Sequence, residues 1–273
     1  MGFMDQAEAL NHLKIACVNG NKSDPQLIAD WQTARGNLGA AFPNAGRPNI
    51  QAIPAAHQPY VQQLIQLLTP NPIFASILGQ GATFQLVEID ALLAFQFVVD
   101  TDRSNAHCQN LSPPPTMDEL LNLCVPQNWA AEAYFWDIQG QSAVFTSRSL
   151  NLQILSSGAN TATGFAGIQF GFLPPMVYVT RYNGRCYLSN GFHRTFGARR
   201  AGATHVPCLF HDVSDYHIGG IRDDGGTFRL SLLESANPPS VAHFTQGRAH
   251  DISLRGSRRV LHVSWANHVV FDE

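Results

Sequence analysis

Asn190-Gly191-Phe192-His193-Arg194 is the run in this sequence whose residue types and spacing are best suited to chemistry. A glycine followed at once by a helical pattern leaves the first backbone N–H groups of the helix pointing outward, beside a position with no side chain to cover them. The helix dipole adds positive potential at the same point, so the start of such a helix attracts anions. Arg194 can grip two phosphate oxygens with its guanidinium fork, and His193 can donate a hydrogen bond or move a proton. Asn190, Gly191, Phe192, His193 and Arg194 are therefore the phosphate-binding candidates, set against the plainer reading of a solvated helix start whose arginine pairs with a nearby acid.

Other chemically capable groups are less ordered in spacing. Arg248, His250, Arg255, Arg258, Arg259 and His262 form the densest positive stretch. Arg248, Arg255, Arg258 and Arg259 are its nucleic-acid contact candidates, although a charged edge strand has the same composition. His211, Asp212, Asp215, His217, Asp223 and Asp224 are metal-ligand types without a spacing such as H-x-x-x-H to put them on one face, so no metal site is assigned. Trp129, Tyr134, Phe135 and Trp136 can stack on a base, or fill a core or an interface. The five cysteines form no C-x-x-C pair, and none is assigned as a nucleophile.

The elements that must position the phosphate run are legible around it. Met176 to Arg181, Asn183-Gly184 and Arg185 to Leu188 spell strand, tight turn, strand. Phe192 to Ala201 then follows a helical pattern that Gly202 stops, and Val206 to Phe210 reads as a further strand. Upstream, helices are expected over Asp5 to Val18, Gln26 to Arg35 and His57 to Leu68, and Pro43 to Pro54 reads as a connector. A strand is expected over Phe84 to Ile89. Asp100 to Thr116 reads as a loop, Met117 to Leu123 as a short helix and Ser142 to Ser147 as a strand. Ser156 to Gly171, rich in Ser, Gly, Thr and Ala, reads as a loop over a site, and Val260 to Phe271 as a terminal strand.

With 273 residues, 45% of them hydrophobic, the chain can fill a real core, while 14% charged residues, 22 Gly and 16 Pro predict many irregular connections in an α+β fold. A net charge of −3 provides no global attraction to nucleic acid or anionic lipid. The first residues lack the basic start and apolar stretch of a signal peptide, and no apolar run approaches the roughly 20 residues of a membrane helix. A cytoplasmic protein with no membrane partner is expected.

The stretch Tyr187 to Cys208 resembles the ParB/sulfiredoxin-like superfamily, in which a Gly-x-[His/Arg]-Arg box opens a helix, a glycine ends it, and a strand of hydrophobic-Pro-hydrophobic pattern follows. The likeness covers about residues 173–213. Leu86 to Gln96 is similar to the opening strand of that family and its continuation. The resemblance implies a core of small mixed sheet and helices over 81–273, with an insertion at about 101–170 and a helical N-terminal segment over 1–80. It further implies that the box binds the phosphates of ATP or another nucleoside triphosphate, with or without Mg²⁺. Family chemistries include nucleotide-dependent phosphotransfer, hydrolysis and nucleic-acid processing, and likeness of fold does not choose among them. Phe192 stands where the family's sulfinic-acid reductases have their cysteine, which removes that activity. Asn190 stands where its small-molecule kinases have an acid. A catalytic carboxylate would then come from Glu88 or Asp90, beside His193. A ParB-like nucleic-acid-binding protein or nuclease, and an inactive binding or structural partner, are the alternatives.

Overall fold

Asn183 and Gly184 both adopt positive φ, at 49° and 72°, which is the primed turn that joins two twisted strands. The expected hairpin is there, and the main sheet grows from it. The computed structural model describes residues 1–16, 22–128, 133–147, 152–160, 165–172, 174–215, 227–245, 247–253 and 259–265. In chain order these form α1 (Gln6–Ala16), α2 (Asp24–Gly36), β1 (Ile50–Ala52), α3 (Gln58–Leu68), α4 (Pro72–Gly79), β2 (Thr83–Glu88), β3 (Leu93–Ala94), α5 (Thr101–Cys108) and α6 (Met117–Cys124). Next come β4 (Phe135–Gln139), β5 (Ser142–Ser147), β6 (Leu152–Asn160), β7 (Phe165–Phe172), β8 (Tyr178–Tyr182) and β9 (Arg185–Asn190). The chain continues through α7 (Phe192–Arg200), β10 (His205–Asp212), α8 (Leu230–Leu233) and β11 (Arg259–Ser264).

The fold is mixed α+β, as the composition predicts. Its main sheet has the order β1-β2-β10-β8-β9-β3, with β10 parallel to β8, β3 parallel to β9 and the other neighbours antiparallel. The chain leaves β9, passes through α7 and returns as β10 on the far side of β8. Buried residues of the inner strands, among them Val87, Val179, Leu188, Val206 and Cys208, share one core with Ala198 of α7 and with Leu120 and Cys124 of α6. Burying such side chains is worth about 1.5–3 kcal/mol each, which fixes α7 against the sheet.

Met1–Gln127 and Met176–Arg255 make one compact unit; Asn128–Pro175 and Gly256–Glu273 make a second. The expected N-terminal helical segment lies within the first unit, and its residues 50–52 add β1 to the edge of the main sheet. The segment read as an insertion at 101–170 divides: α5 and α6 belong to the first unit, and the chain from Asn128 onward to the second. The second unit contains the sheet β11-β5-β4 and the hairpin β6-β7, with the ring of Phe145 stacked 3.9 Å from that of Phe170.

Two loop expectations are corrected. Ser156 to Gly171 lies largely in the paired strands β6 and β7, because Ile168, Phe170 and Phe172 recur at the period of two that a strand needs, and small residues do not prevent pairing. Thr101 to Cys108 is the helix α5, started by Asp100, whose Oδ1 accepts the Arg103 N–H at 2.9 Å. The short helix expected at Met117 is present, with a capping box between Thr116 and Glu119. The expected terminal strand is β11 as far as Ser264, and positions 266–271 lie outside the described residues.

Candidate phosphate site at the start of α7

Gly191 has φ 90° and ψ 21°, the left-handed region, and it joins the last residue of β9 to the first of α7. A Cβ at this position would lie 2.7 Å from Cγ2 of Val177 and 2.8 Å from its Cα. Backbone conformation and crowding both demand glycine. The Asn190 Oδ1 accepts the Gly191 N–H at 2.8 Å, so Asn190 holds the turn with its own carbonyl. The Gly191 carbonyl accepts the Thr195 N–H at 2.9 Å, which leaves the N–H groups of Phe192, His193 and Arg194 as the ones that a helix cannot satisfy from within. Phe192 is 5% exposed and meets Phe95 edge to face at 5.3 Å. Its side chain anchors the helix in the core, and what it can offer an anion is its backbone N–H.

The second wall of the site is α5. Asp100, Arg103, Ser104, His107 and Cys108 fall at i, i+3, i+4, i+7 and i+8, one face of a helix. Ser104, fully buried, donates from Oγ to the His193 carbonyl at 2.8 Å, and the Cys108 thiol lies 3.9 Å from the Arg194 carbonyl that it donates to. Gly197 permits this approach, since a Cβ there would sit 2.1 Å from the Cys108 Sγ and 2.9 Å from the Ser104 Oγ. Arg103 and His107, on the same face, are thereby carried to His193 and Arg194. None of the α5 groups is assigned by sequence reasoning; the capping Asp100 followed by that spacing is the signal that could have found them.

The electrostatics follow from this crowding. Burial pushes His193 down from 6.5 to about 4, the charges of Arg103, His107 and Arg194 push the same way, and Asp100 opposes them. His107 is lowered by burial and then by Arg194 and Arg103. Both imidazoles are neutral donors at neutral pH. Burial raises the Cys108 thiol against the pull of Arg194 and Arg200, which favours its protonated form. Because the native His193 refuses a proton that the unfolded chain accepts, the stability tied to it is complete above pH 6.5 and is lost as pH falls toward about 4. That contribution reaches at most about 3 kcal/mol. In urea melts between pH 7 and 4, His193→Gln is expected to flatten the decline relative to wild type, and parallel curves would count against the half-buried neutral imidazole.

Glu88 and Asp90 are not brought to this turn. The Glu88 carboxylate accepts the Asn49 N–H at 2.9 Å, and Glu88 lies opposite His205 at the start of β10. Asp90 takes both arms of Arg199, through Nε and, at 2.9 Å, through Nη2. Arg199 is in the last turn of α7, roughly 12 Å along the helix from Gly191 at 1.5 Å per residue. Their pairing suits the negative end of the α7 dipole. The register between β2 and β10 sends these carboxylates to the wrong end of the helix for a general base beside His193. The carboxylate whose charge reaches His193 is that of Asp100.

The arginines assigned to nucleic acid fall in different units or outside the described residues. Arg248 belongs to the first unit, Arg259 opens β11 in the second, and Arg255 and Arg258 lie outside the described residues. His250 is committed to Asp30, 3.1 Å away. Within the His211 to Asp224 group, His211 pairs with the Tyr178 hydroxyl at 3.0 Å and Asp212 with both arms of Arg181, while His217, Asp223 and Asp224 lie outside the described residues. Among the described residues no three His, Cys, Asp or Glu side chains gather as metal ligands. Phe135 and Trp136 are exposed on β4 of the second unit, and Tyr134 is tilted against Phe145 and Phe172; Trp129 lies outside the described residues. No helix among the described residues is long and apolar enough to cross a membrane. Comparisons with protein-family models, with curated proteins and with solved structures found no match.

Proposed function

We propose that this protein binds a nucleotide through its phosphates at the start of α7, with the N–H groups of Phe192, His193 and Arg194 and the side chains of His193 and Arg194 as ligands. The carrying observation is the left-handed Gly191 pressed against Val177, which starts the helix on a residue with no side chain of its own to cap it, beside Arg194. An anion there meets backbone donors, the helix dipole and a guanidinium together. The resemblance to the ParB/sulfiredoxin-like superfamily extends the reading to an ATP-dependent phosphotransferase or nucleotide hydrolase. In that chemistry Mg²⁺ fits as a companion of the triphosphate, held chiefly by phosphate oxygens and water, since among the described residues no three His, Cys, Asp or Glu side chains gather to cage it.

A thermal-shift screen of wild type and Arg194→Ala against ATP, ADP, CTP and GTP, with and without Mg²⁺, tests the reading. A ligand at a hundred times its Kd stabilises the native state by about 2.7 kcal/mol, several degrees in a chain of this size. The expected result is a rise in Tm with at least one nucleotide that Arg194→Ala abolishes. Absence of any rise in the wild type sinks the proposal.

A further inference from the structure

We propose that β4 is the contact through which two copies of this chain associate, its outer edge pairing antiparallel with the same edge of a second copy and Trp136 facing its own counterpart across the two-fold axis. The proposal stands apart from the phosphate reading and concerns the second unit alone. β4 ends the sheet β11-β5-β4, and among the described residues no strand pairs with its outer side. Every residue of Phe135–Gln139 is exposed. Such an edge offers unpaired backbone N–H and C=O groups, and chains that stay apart blunt it with Lys, Pro or a bulge. β4 has none of these. It pairs with β5 without a register shift, its one charged residue is Asp137, and that carboxylate accepts the Gln139 amide N–H at 2.6 Å along its own strand.

The side chains identify the occupant. Phe135 is 79% exposed, Trp136 62%, Ile138 55% and Tyr134, just before the strand, 39%. The strand period of two puts Tyr134, Trp136 and Ile138 on one face, with Phe135 and Asp137 on the other. Pairing β4 with its copy about an axis through Trp136 sets Trp136 on the partner's Trp136 and Tyr134 on the partner's Ile138, the latter twice by symmetry, so one face becomes an unbroken apolar row. On the other face Asp137 meets the partner's Phe135. An axis through Asp137 would oppose two like carboxylates, and one through Ile138 would set Trp136 against the partner's Gly140 and lose the aromatic pairs. Charge and shape therefore select one register, and the strand that they fit is β4 itself. At about 150–250 Å² for a whole aromatic side chain, the four residues expose about 400 Å² of apolar surface per copy, so pairing covers about 800 Å² before the new backbone ladder is counted. That approaches the roughly 1,000 Å² of a small biological interface, enough for a reversible dimer.

Sedimentation velocity of the full chain at about 1–200 µM, a range suited to an interface of this size, tests the proposal. Wild type is expected to pass from monomer to dimer within it. Trp136→Lys and Ile138→Lys should each raise the dimer Kd by about tenfold or more with an unchanged far-UV circular dichroism spectrum, because both side chains are exposed. Oxidation of cysteine variants reads the register. Directly opposed residues have Cα atoms about 4.5–5.5 Å apart, within reach of a disulfide, whereas Ile138 and the partner's Ile138 would lie about 14 Å apart. Trp136→Cys should therefore form a covalent dimer above the level that the wild-type chain gives, Ile138→Cys alone should not, and Tyr134→Cys mixed with Ile138→Cys should. A wild type that stays monomeric throughout, a dimer that survives Trp136→Lys, or a crosslink through Ile138→Cys and not through Trp136→Cys overturns the proposal.

Discussion

Gly191→Ala is expected to destabilise the protein by about 3 kcal/mol or more and to remove nucleotide binding with it. A left-handed alanine alone costs about 1–2 kcal/mol. The new methyl would in addition stand 2.7 Å from the Val177 side chain and 2.8 Å from its Cα, and the second contact cannot be relieved by a rotamer change. Either Val177 moves, disturbing a fully buried residue next to Met176, or the chain between β9 and α7 abandons its turn. Urea denaturation would show the loss as a lower midpoint, and Val177→Ala in the same chain should restore only part of it, because the backbone contact remains. An alanine variant as stable as wild type would mean that the start of α7 does not have this geometry, and the phosphate reading would lose its foundation.

Gly197→Ala is expected to reverse the usual sign of a helix substitution. Alanine in a helix interior is normally favoured over glycine by about 1 kcal/mol. Here the methyl would meet the Cys108 Sγ at 2.1 Å, its Cβ at 2.9 Å and the Ser104 Oγ at 2.9 Å. Overpacking of this kind costs about 1–3 kcal/mol net and pushes α5 away from α7. A double-mutant cycle with Cys108→Ala separates the effects: removing the sulfur should recover some of the loss but not all, since the Cβ and Ser104 contacts persist. Because Ser104 of α5 bonds the His193 carbonyl, a displaced α5 should also weaken phosphate binding without touching the glycine turn. A Gly197→Ala variant more stable than wild type would show that α5 does not seat on this face, and the Ser104 bond to the His193 carbonyl would then be lost.

What the sequence made legible is what short-range chemistry controls. Asn183-Gly184 specifies the primed turn, Gly191 and Gly202 bracket α7, and Val206 to Phe210 follows at strand spacing, so the strand, helix and strand around the box could be read residue by residue. The α5 wall was not legible for two reasons. Thr, Asp, Ser, Asn and His are weak helix formers, so the segment has little local preference and owes its form to the Asp100 cap and to packing. Its decisive contact, Ser104 to His193, also spans 89 residues of chain. Glu88 and Asp90 show the converse. Their presence on the opening strand could be read, but the end of α7 that they would meet depends on the register of β2 against β10, which no local pattern encodes. The small-residue run at 156–171 misleads because glycine and serine signal loops only where no partner strand is available.

The position of β10 between β2 and β8 bears on how the chain comes off the ribosome. β2 is complete at Glu88, yet on one side its neighbour is only the three-residue β1, and its other edge must wait for His205–Asp212 to emerge. Over that interval Phe84 and Leu86 border an open strand edge, the kind of surface that pairs with the wrong chain. The loop that closes when β10 docks is long, so closure is slow by comparison with the local hairpin β8-β9, which is finished before β10 is made. A nascent chain arrested before residue 212 thus keeps its β8-β9 hairpin while its sheet lies in two pieces, and it is this arrested species, more than the finished protein, that would need a chaperone.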